Sequence, residues 1–127
     1  MSNVFKLWAP KEYWLALPEQ RAEIAGGCGP GGIGDWFVPD TLWGLSVKPA
    51  CQIHDWMYHF GENLEDKKQA DRVFLNNMVR IINDQTGNRI LRSLRLHRAA
   101  TYYRAVKRFG GPAFWHGKNS EGEYRWV

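Results

Sequence analysis

The stretch CQIHDWMYHF, Cys51 to Phe60, sets a histidine and an aspartate side by side, with Cys51 three residues before His54 and Tyr58 four after it. On a helix, residues three or four apart share a face, whereas immediate neighbours diverge by about 100°. Cys51, His54 and Tyr58 therefore lie on one face, and Asp55 cannot serve as the partner of the adjacent His54. A histidine that is to act as a general base needs a carboxylate on one ring nitrogen, which fixes the tautomer and leaves the other nitrogen free for a proton. That carboxylate must come from another element.

Asp71 is the candidate. If the segment ending at Phe60 and the one opening in ENLEDKK form an antiparallel pair, His54 and Asp71 are equidistant in sequence from the point between Glu62 and Asn63. They then stand at the same height. Asp71 also borders an apolar stripe through Phe74, Leu75 and Met78, and a half-buried carboxylate requires a partner. His54 and Tyr58 are the nearest. No second hydroxyl or thiol is paired with His54, so such a base would act on water. Asp55, displaced around its helix, faces the glycine-rich stretch GGCGPGGIGDWFVPD. A hard carboxylate beside exposed backbone carbonyls suits Ca²⁺, which takes oxygen ligands at about 2.3–2.6 Å in a flexible shell. The alternative, a phosphate cradle, lacks the GK[ST] ending of a P-loop. Taken singly, a histidine is more often structural and a glycine run more often a plain turn; the shared geometry is what points to chemistry.

The elements that must position these residues are helices. Lys11 to Ala25 reads as a short amphipathic helix disturbed by Pro18. Ser46 to Phe60 reads as a second, with Pro49 in its first turn and Gly61 past its end. A third runs to about Asp84, with Ala70, Phe74, Met78 and Ile81 on one side. DQTGN breaks it, and a last helix spans Asn88 to Phe109, stopped by Gly110, Gly111 and Pro112. No strand alternation extends beyond a few residues, so the expected class is all-α: two long antiparallel helices bearing the His/Asp pair, a preceding glycine-rich loop and a further C-terminal helix.

The composition of the 127 residues, 44% hydrophobic and 24% charged, is that of one globular domain spanning the chain. No apolar run reaches the roughly 18 residues of a membrane span, and the opening residues lack the apolar core of a signal peptide. The net charge of +4 is concentrated, since residues 86 to 109 hold seven Arg or Lys and no acid. Such a segment favours anionic partners, whether phospholipid or nucleic acid, or is simply a solvated helix face. Arg89, Arg92, Arg95 and Arg98 recur every third residue and so drift around the helix, which argues against one flat binding stripe. Two cysteines, Cys28 and Cys51, leave a disulfide and free thiols open and argue against a thiolate zinc site.

The combination resembles the secreted phospholipase A2 superfamily, in the style of its compact bacterial and fungal members. The resemblance rests on CGPGG from Cys28 to Gly32, CQIHDWMY from Cys51 to Tyr58, and Asp71 in QADRVF, and it covers about residues 28–110. It implies a calcium-dependent hydrolase of the sn-2 ester of phospholipids, acting at a membrane surface, with no nucleic-acid partner. By the same resemblance His54 activates water, Asp71 orients it, Tyr58 supports Asp71, and the Gly29 amide assists the oxyanion. Asp55 and the carbonyls of Gly27, Gly29 and Gly31 would hold Ca²⁺, and Cys28 would be joined to Cys51. The interval from Cys28 to His54 is longer than is usual in the family, which brings in Asp35 or Asp40 as alternative calcium ligands. Action outside the cytoplasm is implied, by secretion, an effector route or a phage particle. The aromatics Trp36, Phe37 and Trp43 suit the rim of a lipid-binding cleft or, equally, a small core. Two other readings stand beside this one: a catalytically silent lipid-binding module of the same fold, and a basic helical protein that binds nucleic acid.

Overall fold

The computed structural model of the chain describes residues 7–24 and 39–115. These residues are mostly helical: α1 (Lys11–Leu15), α2 (Pro18–Ile24), α3 (Lys48–Phe60), α4 (Leu64–Gln85), α5 (Arg89–Phe109) and α6 (Gly111–Trp115). A small antiparallel hairpin, β1 (Thr41–Leu42) with β2 (Leu45–Ser46), precedes α3.

Local chemistry sets the helix ends. Asn63 caps α4 by accepting from the Asp66 amide at 2.9 Å, and Asp66 in turn accepts from the Glu62 amide at 2.8 Å. The first bond satisfies an amide that the helix start leaves without a partner, and the second ties the residue before the cap to the first turn. Asn88 caps α5 in the same way, accepting from the Leu91 amide at 2.8 Å. Pro49 sits in the first turn of α3, where its missing N–H costs nothing.

The expected single helix over Lys11 to Ala25 is two helices, α1 and α2, separated at Ala16 and Leu17. The reason is Pro18, which disfavours helical geometry in the residue before it and begins a new helix. The expected start of α3 at Ser46 moves to Lys48, because Ser46 is paired with Thr41 in the hairpin. The turn has positive φ at both central residues, Trp43 (+48°) and Gly44 (+80°), as a tight two-residue hairpin turn demands. A tryptophan there is strained, and α5 supplies the restraint. The Arg95 guanidinium donates to the carbonyls of Leu42 (3.1 Å) and Trp43 (2.9 Å), and Arg98 lies 5.2 Å from the Trp43 ring. Arg92 donates to the Thr86 carbonyl at 2.6 Å. Three arginines of the basic segment thus brace the fold.

The core lies where α4 meets α3 on one side and α5 on the other. The stripe Ala70, Phe74, Met78 and Ile81 is buried as its spacing implies, the last three against Val47, Ala50 and Cys51 and against Ala99, Tyr102 and Val106. Further packing joins Tyr13 to Ile53, Trp56 and Val73, and Tyr58 to Ala70 and Phe114. Asn77, fully buried, donates to the Trp8 carbonyl at 2.8 Å and accepts from the Trp8 amide at 2.7 Å, fastening the N-terminal segment to α4. No described helix is long and apolar enough to cross a membrane.

Candidate active site

Gly61 to Asn63 make so short a connection that α4 folds back on α3, and the contacts run in opposite order along the two helices. His54 Nε2 lies 2.8 Å from Asp71 Oδ1, and the Tyr58 hydroxyl donates to that same oxygen at 2.7 Å. The other carboxylate oxygen accepts from Lys67 Nζ at 2.9 Å. His54, Tyr58, Lys67 and Asp71 are all at least 95% buried.

Four groups in so dry a place must settle their protons among themselves. Burial alone would raise the Asp71 pKa, but the hydrogen bonds and charge of His54, with donors from Tyr58 and Lys67, hold it below its ordinary value of 3.8. Asp71 is therefore an ionised acceptor. Burial, together with the Asp71 charge, pushes the Tyr58 phenol far above its usual range, so Tyr58 stays a hydroxyl donor. An acceptor-only carboxylate requires N–H on His54 Nε2, which leaves Nδ1 unprotonated in the neutral ring. The ring packs at a tilt against Tyr58 (centroids 4.1 Å apart) and Phe74 (4.7 Å). The arrangement can accept a proton at Nδ1 and steady the resulting imidazolium.

Lys67 is the member that the sequence reading missed. Its ammonium has three hydrogens, and it bonds Asp71 together with the carbonyls of Val106 (3.2 Å) and Lys107 (3.3 Å) in the last turn of α5. The signal was present, because Lys67 continues the buried stripe three residues before Ala70 and stands four before Asp71.

Cys51 is buried on the inner face of α3 and is not a free thiol. Its expected partner, Cys28, lies outside the described residues, as do Gly27, Gly29, Gly31, Asp35, Trp36 and Phe37. Asp55 is half-buried on α3 and is the single carboxylate of that helix. Asp40 stands at the foot of the hairpin, its carbonyl accepting from the Val47 amide at 2.7 Å. Trp43 is about half exposed at the hairpin tip. Among the described residues no three His, Cys, Asp or Glu side chains gather into a metal site.

No family model, curated protein or solved structure matches this chain. The case for a function therefore rests on the chemistry of these side chains.

Gly110 tests how tightly the site is built. A Cβ at this position would meet the Val106 carbonyl oxygen and stand 2.5 Å from the Tyr58 hydroxyl oxygen. Gly110→Ala is expected to lower unfolding free energy by about 1–3 kcal/mol, as overpacking does. Urea denaturation should show a lower midpoint with an unchanged slope.

Proposed function

We propose that the protein is a calcium-dependent phospholipase A2 that hydrolyses the sn-2 acyl ester of glycerophospholipids. The observation that carries this reading is the buried His54–Asp71 pair, with Tyr58 on the same carboxylate oxygen. It agrees with the roles implied by CQIHDWMY and by Asp71 in QADRVF.

In this mechanism water is the nucleophile. His54 Nδ1 takes a proton from water as its oxygen attacks the ester carbonyl. Asp71 stabilises the imidazolium through Nε2–H, and the proton then passes from Nδ1 to the departing glycerol oxygen. Tyr58 and Lys67 keep Asp71 ionised and fixed. The donor set suits Ca²⁺, because Asp55 is a hard carboxylate beside the base, and the carbonyls of Gly27, Gly29 and Gly31 would complete the oxygen shell. When bound, the ion would supply positive charge for the substrate's carbonyl and phosphate. The Gly29 amide would add a donor to the oxyanion. A Cys28–Cys51 bridge would tie that loop to α3. The phospholipid surface is the partner, and the resemblance implies action outside the cytoplasm.

The test is calcium titration by calorimetry on wild type and Asp55→Asn, with hydrolysis followed in parallel. The variant is expected to lose both calcium binding and activity. Equal calcium affinity in the two proteins would remove Asp55 from the metal site. One observation favours a second reading, a silent lipid-binding module of this fold: Lys67 makes Asp71 part of a buried ion network that could exist for stability alone. Vesicle binding without hydrolysis, by calcium-loaded wild type, would favour it.

A further inference from the structure

Behind the His54–Asp71 pair a pocket of about 420 Å³ opens between α4 and α5. Its floor is the Lys67–Asp71 ion pair, and its walls are Lys68 and Arg72 from α4 and Tyr103 and Lys107 from α5. His54 does not line it. Each helix contributes two residues four apart, so each pair faces the groove from one side. The floor is electrically settled, since Asp71 is covered by Lys67, His54 and Tyr58. The walls are not. Among the described residues neither Arg72 nor Lys107 makes an ion pair, and Lys68 meets only the largely exposed Glu65, at the outer limit of 4.0 Å. Lys107 leans over the Tyr103 ring at 5.7 Å, which keeps its ammonium near the pocket.

Three cations around one concavity repel each other unless an anion joins them. We propose that this pocket is a binding site for a single phosphate group, carried by a lipid headgroup or free in solution. The guanidinium of Arg72 offers paired donors to phosphate oxygens, while Lys68 and Lys107 act as point charges and the Tyr103 hydroxyl as a neutral donor. A compact pocket fits one phosphate better than a polyanionic strand. Of the α5 arginines, Arg92, Arg95 and Arg98 are engaged with Thr86 and the hairpin. The site does not depend on the hydrolytic reading: Asp71 belongs to its floor, but the groups that would hold the phosphate, Lys68, Arg72, Tyr103 and Lys107, have no role in that mechanism.

The experiment titrates the full chain with inorganic phosphate at constant ionic strength, following backbone amide NMR shifts. It is paired with sedimentation binding to phosphatidylcholine vesicles doped with phosphatidic acid or, at equal charge, with phosphatidylglycerol. Wild type is compared with Arg72→Gln/Lys107→Gln and with a charge-matched control, Lys11→Gln/Arg89→Gln, both exposed and far from the pocket in sequence. The expected result is saturable phosphate shifts at Arg72 and Tyr103, or preferential binding to phosphatidic acid, weakened about tenfold in the pocket variant and unchanged in the control. Shifts with inorganic phosphate alone assign the source as soluble; a phosphatidic acid preference alone assigns it as a headgroup. Equal losses in the two variants, or neither response in wild type, would overturn the proposal.

Discussion

Replacing His54 by Gln is expected to reduce sn-2 fatty-acid release by about 10²–10⁴-fold, the contribution of a positioned general base. The glutamine amide can still donate to Asp71 Oδ1, so the carboxylate keeps a partner on that side and the fold should survive. Nothing in the substitution replaces a basic nitrogen at Nδ1. Calorimetry should find calcium affinity unchanged, which separates the base from the metal ligand. A variant retaining wild-type turnover would show that His54 is a structural member of the buried network, and the proposed mechanism would fall.

The second large effect concerns stability. Lys67→Met removes the ammonium from Asp71 Oδ2 and from the carbonyls of Val106 and Lys107. Breaking one side of a buried ion pair typically costs about 3–5 kcal/mol, because the remaining charge is left uncompensated. Urea denaturation should show a loss of that size. Adding Asp71→Asn is expected to recover part of it, since the stranded charge is then gone, and a non-additive cycle would report the coupling directly. Strictly additive losses would show that Lys67 acts through its α5 contacts rather than through Asp71. For the same reason Asp71→Ala is a poor probe of catalysis, as it would strand Lys67. The depressed Asp71 pKa has a pH consequence with a definite sign. Its contribution to stability is present above the ordinary value of 3.8 and is lost as the pH falls below it, towards the folded-state pKa.

The pair at the heart of the site was legible because it obeys helical periodicity. The short Gly61–Asn63 connection fixes the register, so equal sequence distance from the turn put His54 and Asp71 opposite one another. The α4 stripe from Ala70 to Ile81 was legible for the same reason. What escaped notice depends on long-range contacts. The hairpin has strands of only two residues and Trp43 at a positive φ, without the Asn-Gly or Asp-Gly signature. It is held in place by arginines some fifty residues later, Arg95 and Arg98, which a charge count reads as free cations. Lys67 was hidden by residue type, because a lysine is assigned to solvent unless its position on the buried stripe is followed back. Helix α6 begins at Gly111, where Gly110, Gly111 and Pro112 signalled a stop. Pro112 instead occupies the first turn of a new helix, which brings Phe114 onto Tyr58.

The most direct measurement uses a phosphatidylcholine with different acyl chains at sn-1 and sn-2, presented as vesicles with calcium or with EDTA, and identifies the products by mass spectrometry. The expected products are the sn-2 fatty acid and the matching lysophospholipid, formed with calcium and absent with EDTA. No release from folded, calcium-loaded protein, or equal release of both chains, would contradict the assignment of His54 and Asp71 to an sn-2 phospholipase.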